Sequence, residues 1–314
     1  MNFDAEIAKD MGRLSRDPLA WVRYAFPWGE GELSGYGGPD AWQRDVLKHI
    51  RDNLSRREPL RVAVASGHGI GKSALVAWLI LWSLSTCPDA RGIVTANTGS
   101  QLKTKTWAEL AKWYRLFIGR DMFCFTATSL FSAQRGHDKT WRADAIPWSR
   151  DNPEAFAGLH NQGKRILVIF DEASAIFDEI WTVTEGAMTD RDTEIIWCVF
   201  GNPTRNQGKF FECFHKNRAV WNCKQVDSRT ARISNKQQLD QWAQEYGEDS
   251  DFFRVRVKGE FPSQSENQLI SRELAEAARR RVLETRSYEF APVIIGVDPA
   301  WTGYACGRSA ARTL

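Results

Sequence analysis

Lys72 and Ser73 stand directly behind Gly67, Gly69 and Gly71 in the stretch RVAVASGHGIGKS, and Asp171 and Glu172 stand directly behind the apolar run RILVIF. An ammonium and a hydroxyl at a glycine-rich turn, with two carboxylates at the end of a buried strand, are groups that can hold a magnesium nucleotide and hydrolyse it. The short apolar run before Ser66 predicts a central strand near 61–65. Glycine lets the backbone that follows curl, so that Ser66, Gly67, His68, Gly69, Ile70, Gly71, Lys72 and Ser73 form an anion site closed by a helix N-terminus. Lys72 can then reach the β and γ phosphates while Ser73 offers its hydroxyl to Mg²⁺. The strict motif has glycine where Ser66 stands, and Gly67 and Gly69 remain to make the turn.

RILVIFDEAS predicts a strand in the sheet centre with Asp171 and Glu172 at its C-terminal end, where parallel sheets bind ligands. There Asp171 is placed to hold hydrated Mg²⁺ and Glu172 to orient or deprotonate the attacking water. TEIIWCVFGNPT at 193–204 repeats the pattern of a buried strand ending in polar residues. Asn202 and Thr204 can sense the phosphate or couple it to motion, and an Asn at a tight turn is the plainer alternative. Arg135, Arg142 and Arg150 are each available as a charge partner for the γ-phosphate, with an ordinary surface arginine as the alternative for each.

These groups need a core to position them, and 314 residues with 43% hydrophobic content suffice for two domains or one extended domain. Such a composition excludes a disordered chain. Lys and Arg outnumber Asp and Glu by 42 to 39, a balance that neither requires nor excludes a polyanionic partner. Six dispersed cysteines without a CxxC pair, and an N-terminus lacking a basic and apolar leader, read as a reduced intracellular protein. The apolar run ALVAWLILWSL after Ser73 is interrupted and belongs to the phosphate unit, so no membrane span is expected.

Residues 1–59 carry two helical patterns separated by WGEGELSGYGGPD, the second beginning near Asp40. At its start Gln43 has an amide that can both donate to and accept from an adenine, or it faces solvent. A strand near 61–65, a helix near 72–85, a strand over 91–97 and a helix over 100–118 give βαβα order. Asn97, Thr98 and Ser100 follow the second strand, placed for nucleotide or DNA contact or for helix capping. Lys103, Lys105, Lys112 and Arg115, interleaved with Trp107, Trp113 and Tyr114, suit phosphate contact with stacking, or a core face backed by a solvated one.

Residues 121–164 read as extra strands and loops, and 209–290 as a linker subdomain. Within the latter, FFECFHK predicts a short helix, VWNCKQVD a strand and NKQQLDQWAQEYG a helix, while the apolar and basic alternation of DFFRVRVKGEF predicts a half-exposed strand. SRELAEAARRRVLETR predicts a further helix capped at Ser271. From Pro292, VIIGVDPAWTG predicts a new buried strand ending at Asp298, a position suited to a nuclease metal, although no other acid follows it.

WQ at 42–43, SGHGIGKS at 66–73, VIFDEAS at 168–174, FGNPT at 200–204 and VDPAWTG at 297–303 together resemble the large terminase subunit of tailed bacteriophages and prophages. The resemblance implies an α/β fold: a P-loop NTPase additional-strand sheet with flanking helices, then a linker subdomain and the first strand of an RNase H-like domain. Its parts are an N-terminal helical region with the adenine motif (1–59), the ATPase core (60–208), the linker (209–290) and a truncated start of the nuclease domain (291–314). It implies ATP and Mg²⁺ as cofactors, Gln43 as the adenine-motif glutamine, Ser66 to Ser73 as the phosphate loop, and Asp171 and Glu172 as magnesium and water residues. Gly201, Asn202 and Thr204 correspond to a coupling motif, Asp298 to the first nuclease aspartate, and Arg135 or Arg142 to an arginine finger.

The function implied is ATP-driven packaging of viral double-stranded DNA in the bacterial host cytoplasm. Its partners are DNA, a small terminase subunit, a portal on a procapsid and further copies in a ring, without a membrane. Nuclease activity is not expected of this chain, because one aspartate cannot hold the metals alone, and residues 304–314 read like a shifted frame. A helicase-like ATPase stimulated by nucleic acid, or a non-catalytic fragment that binds DNA or a partner, has the same core motifs and stands as an alternative.

Overall fold

The computed structural model describes residues 3–96, 98–148, 159–263 and 277–281. The chain divides into two compact units, Met1–Ser265 and Glu266–Leu314. Asn97, Arg150, Ser271, Asp298 and the strand expected from Pro292 lie outside the described residues, and of the helix expected after Ser271 only a turn at 277–280 is described.

Apolar and β-branched runs form the strands of the first unit: β1 (Leu60–Ser66), β2 (Arg91–Thr95), β3 (Phe123–Phe125), β4 (Ser129–Ser132), β5 (Arg142–Ala145), β6 (Arg165–Phe170), β7 (Glu194–Gly201) and β8 (Asn222–Val226). They join in one sheet of order β3-β4-β5-β2-β6-β7-β1-β8. From β5 to β8 all neighbours are parallel, while β4 is antiparallel to both β3 and β5. β7 is the additional strand, inserted between β1 and β6. With Ala65 beside Gly201, Val199 beside Phe170 and Phe170 beside Thr95, the chain leaves β1, β7, β6 and β2 on one edge of the sheet. That is the edge at which parallel sheets bind ligands.

The helices in chain order are α1 (Phe3–Arg13), α2 (Pro18–Ala25), α3 (Ala41–Asn53), α4 (Lys72–Thr86), α5 (Gly99–Gln101), α6 (Ala108–Leu116), α7 (Asp178–Gly186), α8 (Lys209–Phe214), α9 (Lys236–Tyr246) and α10 (Asp251–Phe253). Two π-helical segments, Leu102–Trp107 and Arg254–Lys258, continue α5 and α10. Strand side chains alternate between two cores. Val62, Val64, Val94, Leu167, Ile196 and Phe200 pack toward the layer that contains α4, whereas Ala63, Ala65, Ile93, Val168, Trp197 and Val199 pack toward Ile180, Trp181 and Phe210 of α7 and α8. Every residue of α4 from Leu75 to Thr86 is buried, as an apolar helix clamped between sheet and outer helices must be. No helix among the described residues is long and apolar enough to cross a membrane.

Two expectations change. The sheet extends past residue 208, to which the ATPase core was expected to run, because β8 from the expected linker pairs along the free side of β1. DFFRVRVKGEF is helical, not a strand. Ser250 caps its start by accepting from the Phe253 N–H, Phe253, Val255 and Val257 are buried, and Gly259 closes it in the left-handed region. Alternating burial misled because in this π-helical turn, too, Phe253, Val255 and Val257 are buried while Arg256 is exposed. Over 100–118 the plainer alternative holds: Trp107 and Trp113 are buried while Lys103, Lys105 and Arg115 are exposed, so this helix has a core face and a solvated one, with no exposed tryptophan for bases to stack on.

At the other edge, Arg165 is almost fully buried at the start of β6. It donates twice to Glu194 Oε2 at 2.8 and 2.9 Å, to Thr86 Oγ1 at 2.8 Å and to the Ser15 carbonyl at 2.9 Å, with its plane over Trp82. These contacts pin β6, β7 and α4, the three elements that carry the functional ends. Removing one partner of such a pair strands the other charge. Arg165→Ala is therefore expected to cost about 3–5 kcal/mol in denaturant unfolding, and replacing both Arg165 and Glu194 by apolar residues of similar volume far less.

Candidate active site

Gly69 and Gly71 have φ of 69° and 85°, so these two make the turn between β1 and α4. Gly67 has a different reason to be glycine: a Cβ there would collide with Ser228 Oγ and with the carbonyls of Arg256 and Val257. The loop is gripped on its carbonyl side by α3, where Trp42 Nε1 donates to the Ile70 carbonyl at 3.1 Å and Gln43 Nε2 to the Gly71 carbonyl at 3.0 Å. Across a trans peptide the N–H points opposite to the C=O. Anchoring those carbonyls on α3 therefore turns the Gly71 and Lys72 N–H groups away from it. Among the described residues, no group accepts a hydrogen bond from the N–H of Gly69, Ile70, Gly71, Lys72 or Ser73.

Gln43 is not the solvent-facing residue of the plainer reading. Its Oε1 also accepts from the Asp40 N–H at 2.7 Å, completing a capping box, and it is 5% exposed. It lines a cavity of about 150 Å³ with Gly71, Trp28, Trp78, Trp113 and Ile233, beside the phosphate loop. A larger groove of about 310 Å³ among Arg56, Pro59, Met188 and Arg191 lies at the opposite edge, remote from these groups.

Lys72 Nζ donates to Ser66 Oγ at 3.0 Å and to the Gly67 carbonyl at 3.4 Å. Burial pushes its ammonium below the ordinary lysine value, opposed by the nearby Glu172 and Asp171 carboxylates. Ser73 follows, half-buried, in the first turn of α4. Asp171 is 5% exposed; its Oδ2 accepts from Thr106 Oγ1 at 2.6 Å and its Oδ1 from the Glu172 N–H at 3.1 Å. Glu172 lies in the left-handed region at φ 54° and ψ 43°, which is unusual for a glutamate. Burial raises its carboxyl above the ordinary range, against the pull of Lys72.

The exit of β7 ties these two loops together. Asn202 Nδ2 donates to the Ser66 carbonyl at 2.6 Å, and Thr204 Oγ1 lies 2.9 Å from Ser174 Oγ, two residues past Glu172. A Cβ at Gly201 would press on the Ala173 N at 3.1 Å. Thr98 caps α5 by accepting from the Gln101 N–H, in keeping with the capping alternative.

Arg135 and Arg142 do not join the site of their own chain, and Arg150 lies outside the described residues. Arg142 lies beside Arg91 at the start of its strand, on the edge opposite the phosphate loop, and is held by Asp144 and Ser129. Arg135 is exposed in the turn leading to that same edge. Of the groups that do stand by the site, His68 and Lys105 were anticipated and Arg256 was not. His68 meets the guanidinium of Arg256, Nη1 to Nε2 at 2.6 Å, and Lys105 and Arg256 both act on the Glu172 carboxyl by their charge. Burial and the charges of Arg256, Lys72 and Lys105 hold His68 near a pKa of about 4, so it is neutral. Thr106 carried no signal in the sequence, because its role depends on a helix crossing to β6.

A protein of Enterobacteria phage P7 described as a probable terminase large subunit is 26% identical over 272 residues, covering 82% of this chain and 53% of that protein. The chain is similar to phage large terminase subunits. It thus spans about half the length of the curated relative it matches. No family model matches it. Among solved structures, the HK97 bacteriophage large terminase superposes with a TM-score of 0.57 at 14% identity, covering 79% of this chain and 55% of that one. The large terminase ATPase domain of Thermus phage P74-26 gives 0.53 at 16% identity, covering 75% and 99%. The large terminase of thermophilic bacteriophage D6E, in complex with ADP, gives 0.53 at 12%, covering 71% and 53%. At these identities the likeness is one of fold, and it is the terminase ATPase fold that the motif order implied.

The raised carboxyl of Glu172 has a consequence for stability. The native chain keeps that proton where the unfolded chain has lost it, so stability falls as pH rises from the ordinary value of 4.5 through the raised one. Glu172→Gln is expected to melt higher than the parent at about pH 8 and nearly level with it at about pH 4, followed by circular dichroism.

Proposed function

We propose that this chain hydrolyses ATP, and that hydrolysis drives double-stranded DNA into a procapsid, as the motor part of a large terminase subunit. The observation that carries the ATPase reading is the meeting of buried Lys72 with Asp171 and Glu172 beside a turn whose N–H groups are free. The DNA-packaging reading rests on the similarity to the phage P7 protein, and it is what favours a packaging motor over a helicase-like ATPase. The D6E terminase, which shares the fold, was solved with ADP.

In this reading the phosphates lie on the N–H groups of Gly69 to Ser73, with Lys72 released from Ser66 to the β and γ oxygens. The adenine enters the cavity at Gln43, against the cluster of Trp28, Trp78 and Trp113 that lines it. Ser73 and Asp171 offer the hard oxygen donors that Mg²⁺ takes, and Thr106 already orients the carboxylate. Bound with the nucleotide, the ion supplies positive charge to the phosphate oxygens. Glu172 takes the proton from the attacking water as the water oxygen bonds to the γ phosphorus and the bond to the bridging oxygen breaks. Its raised carboxyl makes it a better proton acceptor than an ordinary glutamate. Asn202 and Thr204 touch both the phosphate loop and the Glu172 turn, so a change in either reaches the exit of β7. A ring of copies, a portal and a small subunit complete the machine.

Glu172→Gln is expected to lower single-turnover phosphate release by about 10²–10⁴-fold while keeping nucleotide affinity. Lys72→Ala is expected to abolish release. Undiminished hydrolysis by the Glu172 variant would remove its assigned role, and hydrolysis without translocation into procapsids would separate the ATPase from the packaging claim.

A further inference from the structure

The helix that follows β2 runs from α5 through the π-helical segment Leu102–Trp107 into α6 and ends at Leu116. From Leu102 to Leu116 it carries Lys103, Lys105, Lys112 and Arg115 against the single acid Glu109, a net +3 that equals the excess of 42 cations over 39 acids in the entire chain. Its inner face is fixed. Leu102, Thr106, Trp107, Leu110 and Trp113 are buried, Trp107 Nε1 donates to the Thr126 carbonyl at 2.8 Å, and Trp113 meets Trp78 of α4 edge-on at 4.9 Å. Glu109 is engaged by Trp113 Nε1 at 2.8 Å. On the outer face Lys103, Lys105 and Arg115 are exposed and Lys112 is half-buried. No carboxylate among the described residues lies within ion-pair distance of any of these four cations.

A face of this kind has a narrow choice of partner. Protein interfaces have an apolar centre, and no large apolar side chain is exposed from 99 to 117. Single-stranded nucleic acid is held by bases stacking on aromatic side chains. Here the rings are already taken: Trp107 and Tyr114 both stack on Phe125, and the Tyr114 hydroxyl donates to the carbonyls of Arg120 and Phe123. A duplex asks for neither feature, because Lys and Arg hold it by its phosphates alone.

The same helix reaches the active site from its inner side. Thr106 donates from Oγ1 to Asp171 Oδ2 at 2.6 Å, and its neighbour Lys105 stands close enough to Glu172 and His68 for its charge to act on both. In the wide π turn Leu102, Thr106 and Trp107 share the buried side, which leaves Lys103, Thr104 and Lys105 consecutive on the outside. We propose that the face formed by Lys103, Lys105, Lys112 and Arg115 is where double-stranded DNA rests, and that the contact is transmitted through Thr106 to Asp171, so that DNA quickens hydrolysis. The inference rests on the ATPase reading above. One turn of helix carries both the lysines that meet the duplex and the hydroxyl that orients the carboxylate offered to Mg²⁺, so a phosphate engaging Lys105 pulls on the bond to Asp171.

The test uses the full chain with a short blunt duplex, or a single strand of equal length, and variants whose melting curves match the parent. The parent is expected to bind the duplex more tightly than the strand and to hydrolyse ATP faster with the duplex present. Lys103→Ala combined with Arg115→Ala is expected to keep the DNA-free rate within about twofold, to lose about tenfold in duplex affinity for each cation at about 0.1 M salt, and to make the fall of log affinity with log salt shallower by about 2. Thr106→Val is expected to keep duplex affinity and to lose the stimulation relative to its own DNA-free rate, which Thr106→Ser restores. Unchanged affinity and salt slope in the double variant overturn the proposal, as does tighter binding of the single strand or undiminished stimulation in Thr106→Val. If the double variant instead loses self-association while its duplex affinity holds, the face belongs to a second copy and the proposal falls. Lys72→Ala keeps the two readings apart, being expected to bind the duplex like the parent without hydrolysing ATP. A parent that hydrolyses ATP and ignores the duplex leaves the ATPase reading standing and removes this one; a parent that hydrolyses none, with or without duplex, removes both.

Discussion

A lysine that has lost its water must sit beside two carboxylates that have lost theirs, and much of the fold serves that arrangement. Burial alone favours the uncharged form of each group, and Lys72 and Glu172 both shift in that direction, each partly restrained by the other. Isolated, such charges would be prohibitively costly; together, and with Ser66, Gly67 and Thr106 hydrogen-bonded to them, they are tolerable and remain ready for a polyanion. The parallel sheet supplies the convergence, since β1 and β6 end on the same edge with β7 between them.

The phosphate loop is held from two sides by different means. On the α3 side, Trp42 and Gln43 hold carbonyls, an arrangement fixed by a capping box and by a buried amide whose two ends are both used. On the other side lies a strap, the segment from β8 to Gly259, and its contacts are main-chain approaches permitted by two glycines, Gly67 and Gly259, neither of which could carry a Cβ. One grip is set by side chains packed in the core, the other by a segment leaning on the loop from the edge strand. Between them the two grips hold the loop along its whole length, from Gly67 to Gly71.

What the sequence disclosed follows from locality. The glycine turn before α4, the acids after β6 and the polar exit of β7 each follow at once on a buried run, and all three lie where expected. Long-range register was not legible. Arg142 looked available until pairing with β2 put it at the wrong end of its strand, tied to Asp144. β8 was recognised as a strand, yet nothing local says that it runs beside β1. The RVRVK alternation was real as burial and wrong as geometry, because the surface that buries Val255 and Val257 is made by residues distant in the chain. Thr106, Ser228 and Arg256 share this cause: each acts on a partner brought to it by the sheet.

The strap is not an isolated flap. Ser228, which donates to the His68 carbonyl, has its own carbonyl bonded by Lys236 Nζ at 3.2 Å, and Lys236 begins α9. Leu239 of α9 packs with Phe253 and Val257 of the strap in a small core of their own. Residues 226–259 therefore form a lobe with internal contacts that is joined to the phosphate loop by few bonds, most of them at Gly67 and His68. It is also tied to the start of α3, where the Arg232 N–H donates to Asp40 Oδ2 at 2.6 Å and the Arg232 guanidinium to the Gly38 carbonyl at 2.7 Å. A segment first read as a linker therefore helps to shape the phosphate loop, holding Gly67 and His68 on one side while Trp42 and Gln43 hold Ile70 and Gly71 on the other.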